Sequence, residues 1–321
     1  MQAVNRYFAN LTAAGGAWWN RFWFTPTPAT TLGAVRIATG LLALCAVATY
    51  APDLERWFTD DGMLPLSLIR DLYRVPGQVL GQRSLFDMLP DAALWPAYWG
   101  SLAALALFTL GIGGRMVAVA AATVTISFFA RAPLVTREFE SILSMLLIYL
   151  CIGRCSDAFS ILSLWRRDHV PTPTLQPPAY SLQPASPFNT ISLRIIQLHI
   201  ALVHLMMGYA QLAAAEGAWW SGEGVWLAAA RPGMSLVDLS GLADHPRIVA
   251  AWSHAITLYL LAFPFAVWNR LARPLLLALG AVVWISFAVA SGWVPFCLAM
   301  LTGIAAFIEP RSAADSRLTS L

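Results

Sequence analysis

Long apolar stretches constrain this chain more than any other feature of its sequence. A helix needs about 20 mostly apolar residues to cross the hydrocarbon core of a bilayer. Within that core the backbone must satisfy its own hydrogen bonds, so such stretches are expected to be helical. The sequence predicts about eight spans, of which the third and fourth are short: residues 31–50, 94–111, 116–130, 139–152, 192–212, 250–267, 274–291 and 293–308.

The composition agrees with this interpretation. Hydrophobic residues make up 58% and charged residues 12% of the 321 residues, and the mean hydropathy of +0.64 lies outside the range of soluble globular domains. The predicted fold is therefore all-α, a polytopic integral membrane helical bundle with two long extramembrane loops. The formal charge of +3 is carried by short loops, so the expected partner is the lipid bilayer and no nucleic acid is predicted.

Outside the spans, the sequence divides into an arm, two long loops, a linker and a tail. Residues 1–28 form an aromatic-rich arm with arginines, which suits the lipid headgroup layer. Residues 29–308 form the transmembrane domain, interrupted by a proline-rich linker at about 168–189, and residues 309–321 form a polar tail. The first long loop, 52–93, carries apolar residues and is expected to fold into short helices on the membrane surface.

The arginines predict an orientation in the membrane. The chain contains no lysine, and half of its arginines lie in the arm, the short turns, the linker and the tail, whereas the two long loops are net acidic. Short cytoplasmic loops carry an excess of basic residues. With an even number of spans, we expect both termini in the cytoplasm, the acidic loops outside, and a multi-pass protein of the bacterial inner membrane.

The fifth span carries a polar edge. At about 100° per residue, positions seven apart nearly coincide around a helix, so Gln197, His204 and Gln211 form one stripe with Arg194 close to it, whereas His199 lies nearly opposite. Intramembrane polar side chains are costly and mark functional sites by default. The stripe is therefore predicted to face the protein interior or a water-filled cavity. In the alternative interpretation, these side chains only join the helix to its neighbours.

Two further arginines border the spans. Arg36 lies at the start of the first span, where it either extends to the near interface or faces inward and needs a carboxylate partner. Arg131 precedes Arg137, Glu138 and Glu140. Charges of both signs this close to hydrocarbon are expected to pair with one another.

Tryptophans and carboxylates follow the fifth span. Trp219, Trp220 and Trp226 lie among glycines and acidic residues. Tryptophan is enriched at membrane interfaces, so these residues predict an aromatic belt. The alternative is that they close a cavity that opens between the helices.

Several motifs in order resemble one known family. They are RIATGLL at 36–42, WFTDDGMLP at 57–65, RAPLV at 131–135, GRCSD at 153–157, the stretch 194–212, and AWWSGEGVW at 218–226. Together these resemble the HTTM, or horizontally transferred transmembrane, domain, which is related to the membrane domain of vitamin K-dependent gamma-carboxylase and to sporulation-delaying protein B. The resemblance covers about residues 30–308 and adds Asp60 and Asp61 to the candidate ligand-binding residues.

The resemblance also implies a missing catalytic base. In carboxylating members, the position that matches Gln211 is a lysine that deprotonates reduced vitamin K, and a histidine is expected near Trp284. An amide cannot take a proton at useful pH, whereas a desolvated lysine can be tuned toward neutrality. Gamma-carboxylation is therefore not expected of this chain.

Two functional hypotheses follow. The first is a non-carboxylating HTTM-type membrane protein that binds a quinone, a lipid or a partner peptide in a cavity, with the candidate ligand-binding residues Arg36, Asp60, Asp61, Arg131, Arg194, Gln197, His204, Gln211, Trp219, Trp220 and Trp226. The second is a redox or acid-base enzyme with His204 as catalytic base, because imidazole titrates near neutrality. A transporter would be expected to show inverted repeats, which the sequence lacks. The histidines show no metal-ligand spacing, although Cys151 and Cys155 are close enough for a redox pair or metal clip.

Overall fold

The computed structural model describes residues 2–72, 84–161, 185–214, 217–230 and 236–309. These residues are mostly helical, and the only β-pairing in this part of the chain is a single bridge between Thr27 and Ser186. The helices are α1 (Gln2–Phe24), α2 (Thr30–Ala48), α3 (Leu54–Phe58), α4 (Leu66–Leu72), α5 (Leu94–Leu110), α6 (Gly114–Arg131), α7 (Glu138–Leu150), α8 (Pro187–Ala213), α9 (Ala218–Ser221), α10 (Gly224–Ala229), α11 (Pro246–Ala266), α12 (Arg273–Ser291) and α13 (Val294–Ala305). The all-α prediction is confirmed.

The bundle belongs to a multi-pass membrane protein. Within the described residues, 6 helices are long and apolar enough to cross a membrane, and they correspond to α2, α5, α6, α8, α11 and α12. The remaining two predicted spans are shorter helices, α7 with 13 residues and α13 with 12 residues. At about 1.5 Å per residue these reach roughly 20 Å, less than the hydrocarbon thickness of about 30 Å, and both are enclosed by longer helices.

The loops of the bundle gather at two ends. One end, here called the arginine-rich end, holds residues 21–36, 111–115, 152–160, 186–194, 268–273 and 306–309. Hydrogen bonds and ion pairs join these segments, including Thr31 to the Ile308 carbonyl, Arg115 to the Ile152 carbonyl and Arg273 to Glu309. The described membrane-length helices, together with the shorter α7 and α13, therefore run alternately between this end and the opposite one.

The opposite end, here called the acidic end, holds residues 49–72, 84–95, 131–140, 211–214, 217–230, 236–247 and 291–295. The first long loop forms α3, α4 and two short 3-10 helices here, 85–88 and 91–93, as predicted from its apolar residues. The Trp95 indole donates to the Glu55 carboxylate at 2.8 Å, and the Ser84 hydroxyl donates to the Ser127 carbonyl at 2.7 Å. These bonds fasten the loop to α5 and α6.

Helix α8 follows the linker and packs against helices that precede it and helices that follow it in the chain. It contacts α1, α7, α11 and α13, and most extensively α11. It begins earlier than predicted, because Pro187 occupies its first turn and Ser186 caps it by accepting from the Phe188 amide. Residues 187–189, which the sequence assigned to the linker, are therefore helical, and residues 168–184 of that linker lie outside the described residues.

Candidate functional site

The polar stripe of α8 faces the protein interior. Gln197 and His204 are buried, as is Gly208 on the same side of the helix, and His199 on the opposite side bonds the Tyr149 hydroxyl of α7 at 2.8 Å. The inward orientation predicted from the heptad spacing is therefore confirmed. The stripe does not line one chamber, however, because its members have separate partners along the length of the bundle.

The stripe residues near the arginine-rich end connect structural elements. The Gln197 amide donates to the Ala306 carbonyl at 2.7 Å and accepts from the Arg194 guanidinium at 2.9 Å. Arg194 also donates to the Phe22 carbonyl at 3.3 Å and lies 4.6 Å from the centre of the Phe22 ring. These bonds join α1, α8 and the end of α13, so the geometry gives Gln197 and Arg194 a role in helix attachment.

His204 lies in an aromatic cage in the middle of the bundle. Its side chain is 0% exposed, its Nδ1 is 2.7 Å from the Ile200 carbonyl, and its ring stacks on Phe263 at 4.3 Å. The rings of Tyr259 and Trp284 meet it edge-on at 5.7 and 5.6 Å. Its Nε2 has no hydrogen-bond partner among the described residues, and the surrounding rings separate it from the cavities.

The stripe meets a cavity only at its last polar residue. The side-chain amide oxygen of Gln211 accepts from the Thr257 hydroxyl at 2.8 Å. The Gln211 side chain is half-buried and borders a cavity of about 570 Å³ at the acidic end. This space is called here the Gln211 cavity, and its lining is Met207, Gln211, Ala214, Ala218, Trp219, Gly224, Leu227, Ala228, Phe287 and Trp293. The lining is mostly apolar, with one amide and two indoles as polar contributors.

Only one of the three predicted tryptophans lines this cavity. Trp219 borders it, and its ring lies 6.5 Å from that of Phe287. The Trp220 side chain is 72% exposed, and Trp226 is half-buried outside the lining. The neighbours in sequence separate because consecutive residues of a helix point about 100° apart.

Arg36 corrects both interpretations offered by the sequence. It neither extends to the interface nor pairs with a carboxylate, because its side chain is 0% exposed and its guanidinium donates to three backbone carbonyls. These belong to Cys155 at 2.8 Å, Ala158 at 3.1 Å and Phe159 at 2.8 Å. Gly111 makes room for this guanidinium, because a Cβ there would lie 2.5 Å from it. Arg36 thus stabilises the turn after α7.

Arg131 pairs across loops, whereas pairing was expected within its own loop. It donates to the carbonyls of Leu64 at 2.9 Å and Phe58 at 3.2 Å, and its Nε lies 3.6 Å from an Asp87 carboxylate oxygen. Glu140 of the same loop instead accepts from the Arg137 amide at 2.7 Å and thereby caps α7. The predicted pairing among charges of residues 131–140 is therefore wrong for Arg131.

The predicted site residues thus do not form one site. Arg36 and Arg194 lie at the arginine-rich end, whereas Arg131 and Gln211 lie at the acidic end, separated by the length of a span. Asp60 accepts from the Leu66 amide at 3.1 Å and orders the start of α4, and Asp61 is exposed. Among the predicted candidates, Arg194 and Gln197 bond each other at one end, and Gln211 and Trp219 line the same cavity at the other.

Sequence reasoning missed a serine that shapes the Gln211 cavity. The Ser253 hydroxyl of α11 donates to the Gly222 carbonyl at 2.8 Å and accepts from the Val225 amide at 3.0 Å. These two bonds hold α9 and α10 against α11. The available signal was a serine in an otherwise apolar span, which tends to bond nearby backbone or a neighbouring helix.

Cys151 and Cys155 each bond a backbone carbonyl of the helix that precedes them. The thiols of Cys151 and Cys155 donate to the carbonyls of Leu147 at 3.2 Å and Leu150 at 3.6 Å, and both are free. No group of three or more histidine, cysteine or acidic side chains with metal-binding geometry occurs in the part of the chain that the structure describes.

The fold and the cavity define the class of this protein: a multi-pass helical membrane protein with a partly open, mostly apolar cavity at the acidic end of its bundle. Comparisons with models of known protein families, with curated proteins and with solved structures found no match for this chain. The resemblance to the HTTM family is therefore carried by the sequence motifs alone.

Proposed function

We propose that this chain is an HTTM-type membrane protein that binds an apolar molecule with a carbonyl group, a quinone or a lipid, in the Gln211 cavity. The observation that carries the proposal is the polar group inside an apolar lining. The oxygen of the Gln211 amide is engaged by Thr257, so its nitrogen, which has two N–H donors, is the group available to a ligand. A volume of about 570 Å³ lies within the range of roughly 300–1,000 Å³ for small-molecule sites.

The same geometry favours binding over catalysis. A glutamine at 211 provides no base, and a substrate would have to displace Phe263, Tyr259 or Trp284 to reach Nε2 of His204. A general base must come within hydrogen-bond reach of the proton it removes. A small molecule also suits the enclosed volume better than a partner peptide does.

Binding of decylubiquinone to the purified protein in detergent tests this proposal. Gln211→Leu removes the amide and keeps a side chain of similar size, so it is expected to weaken binding up to about tenfold through the loss of one hydrogen bond. Trp219→Leu removes an indole from the lining and is expected to weaken binding as well. Trp220→Leu is the matched control, because this adjacent tryptophan lies outside the cavity.

The outcomes discriminate clearly. Equal affinities for the wild type, Gln211→Leu and Trp219→Leu would place the ligand elsewhere and remove the proposal. If decylubiquinone does not bind to any variant, dioleoylglycerol is tested next as a lipid that also carries carbonyl groups. Failure of both probes to bind would contradict a carbonyl-bearing ligand.

We further propose that the arginine-rich end faces the cytoplasm of a bacterium, with both termini on that side. Among the described residues this end, counted from Arg21, holds Arg21, Arg36, Arg115, Arg154, Arg194, Arg270 and Arg273 against Asp157 and Glu309. The positive-inside rule favours the cytoplasm for it. An impermeant thiol reagent should label Asp244→Cys in intact spheroplasts and Leu271→Cys only after lysis, in a background without native cysteines. The reverse pattern would invert the topology.

A further inference from the structure

Two adjoining spaces form a groove on the side of the bundle, apart from the Gln211 cavity. The larger has a volume of about 440 Å³ and is lined by Leu42, Cys45, Ala46, Thr49, Tyr50, Trp57, Phe129, Val135, Phe139, Glu140, Pro295 and Leu298. The smaller, of about 170 Å³, is lined by Arg137, Glu138, Phe139, Glu140, Gly292, Trp293, Pro295 and Phe296. Phe139, Glu140 and Pro295 border both, so the two spaces lie side by side.

The larger space has the depth and polarity of a site for an acyl chain. The lining residues on α2 and in the turn after it extend from Leu42 to Tyr50 at the acidic end, eight positions that correspond to about 12 Å along a helix. This is close to the thickness of one leaflet, which is about half of the 30 Å core. Cys45 and Leu298 are exposed, and in a membrane-spanning bundle exposed apolar positions at this depth contact lipid.

The smaller space carries charges of both signs at the position of a lipid headgroup. Arg137 and Glu138 are exposed at its rim, and Glu140 is half-buried where the two spaces meet. One oxygen of Glu140 accepts from the Arg137 amide at 2.7 Å, which fixes the orientation of the carboxylate. A guanidinium beside carboxylates complements a phosphate joined to an ammonium group, and charge-assisted bonds of this kind are the stronger ones.

From this juxtaposition we propose that the groove binds one phospholipid with a zwitterionic ethanolamine headgroup. Arg137 contacts the phosphate, Glu140 accepts from the primary ammonium, and an acyl chain lies along α2 and α13 over Ala46 and Leu298. Two carboxylates against one guanidinium disfavour an anionic headgroup such as phosphatidylglycerol. This site differs from that of the proposed function, because Gln211 does not line it and the two share only Trp293, at the edge of the smaller space.

Lipid retention by the purified protein tests the headgroup contact. The protein is equilibrated in mixed micelles with equal amounts of phosphatidylethanolamine and phosphatidylglycerol of matched acyl chains, and the lipids retained after gel filtration are quantified by mass spectrometry. The wild type is expected to retain phosphatidylethanolamine preferentially. Glu140→Gln keeps an oxygen for the Arg137 amide but removes the charge, so the preference should fall at least about fivefold. Asp244→Asn is the control, since it removes an exposed carboxylate at the same end and outside the groove.

A second pair of variants tests the acyl-chain contact. Ala46→Phe fills the larger space and should lower the total retained phospholipid, whereas Ala48→Phe, on the same helix but outside the lining, should not. Gln211→Leu should leave the headgroup preference unchanged, which separates this site from the Gln211 cavity. The proposal is overturned if Glu140→Gln has the wild-type lipid ratio, or if Ala46→Phe retains as much lipid as Ala48→Phe.

Discussion

Replacing Arg36 by methionine should release the turn that follows α7. The side chain of Arg36 passes beside Gly111 and donates to the carbonyls of Cys155, Ala158 and Phe159. Phe159 is the only non-glycine residue with positive φ in the described chain, at 52°, a conformation that costs about 1 kcal/mol or more. The three bonds hold the backbone in this conformation, so their loss should allow the turn to open.

The expected size of the effect follows from the number of bonds. Hydrogen bonds to charged groups contribute about 1.5–3 kcal/mol each, so three of them near the low end of that range stabilise the closed turn by about 4 kcal/mol. The population of the open turn should then rise by a factor on the order of 10³. Arg36→Lys keeps the charge but lacks the planar fork of donors, and its effect should be intermediate.

The thiol of Cys155 reports on this opening. Its side chain is 2% exposed, and burial raises the pKa of the Cys155 thiol to about 11. The closed turn therefore protects the thiol from maleimide both by burying it and by keeping it protonated. In a background with Cys45→Ser and Cys151→Ser, the maleimide labelling rate of Cys155 should increase steeply in Arg36→Met, with peptide mass spectrometry to assign the label. Buried Cys297 of α13 is the internal control. Labelling of Cys155 within threefold of the wild-type rate, with Cys297 still protected, would refute this account of Arg36.

Three further perturbations test other parts of the bundle. His204→Phe should leave the free energy of unfolding within about 1 kcal/mol of the wild type, because a phenyl ring fills the cage and removes the unpaired nitrogen. His204→Ala should lower it by about 3–4 kcal/mol. A greater loss for phenylalanine than for alanine would contradict a packing role. Gly40→Ala should lower the free energy of unfolding by about 1–3 kcal/mol, because the added Cβ meets the facing threonine of α5. Gly100→Ala is the control, since a Cβ there meets nothing. Equal melting temperatures for the two variants would be contrary evidence. Arg131→Met should accelerate proteolysis of the first long loop more than Asp87→Asn does, since the arginine also holds two carbonyls, and equal cleavage rates would show that the ion pair alone matters.

The spans could be predicted from the sequence because the bilayer imposes a length and a polarity that a single chain reveals. Helix α5 begins at Leu94 and ends at Leu110, before Gly111 in a left-handed conformation, and the sequence prediction differs by one residue. The heptad spacing of Gln197 and His204 likewise fixed the face of α8 that points inward. These features depend on residues close together in the chain.

The partners of the charged residues could not be predicted in the same way. Arg36 bonds carbonyls more than 100 positions away, and backbone acceptors leave no mark in a sequence because every residue has one. The expectation that a buried arginine needs a carboxylate therefore failed. The Gln211 cavity was equally hidden, since it depends on Ser253 holding α9 and α10 in place.

The short helix α13 has a consequence for the biogenesis of this protein. It contacts α2, α7, α8 and α12, and residues such as Cys297, Ala299 and Met300 are almost completely enclosed by them. It is also translated after all of these neighbours. Until α13 has been synthesised, the surfaces of the earlier helices that pack against it therefore remain without their partner in the bilayer. During this interval these helices are accessible to membrane chaperones and quality-control proteases.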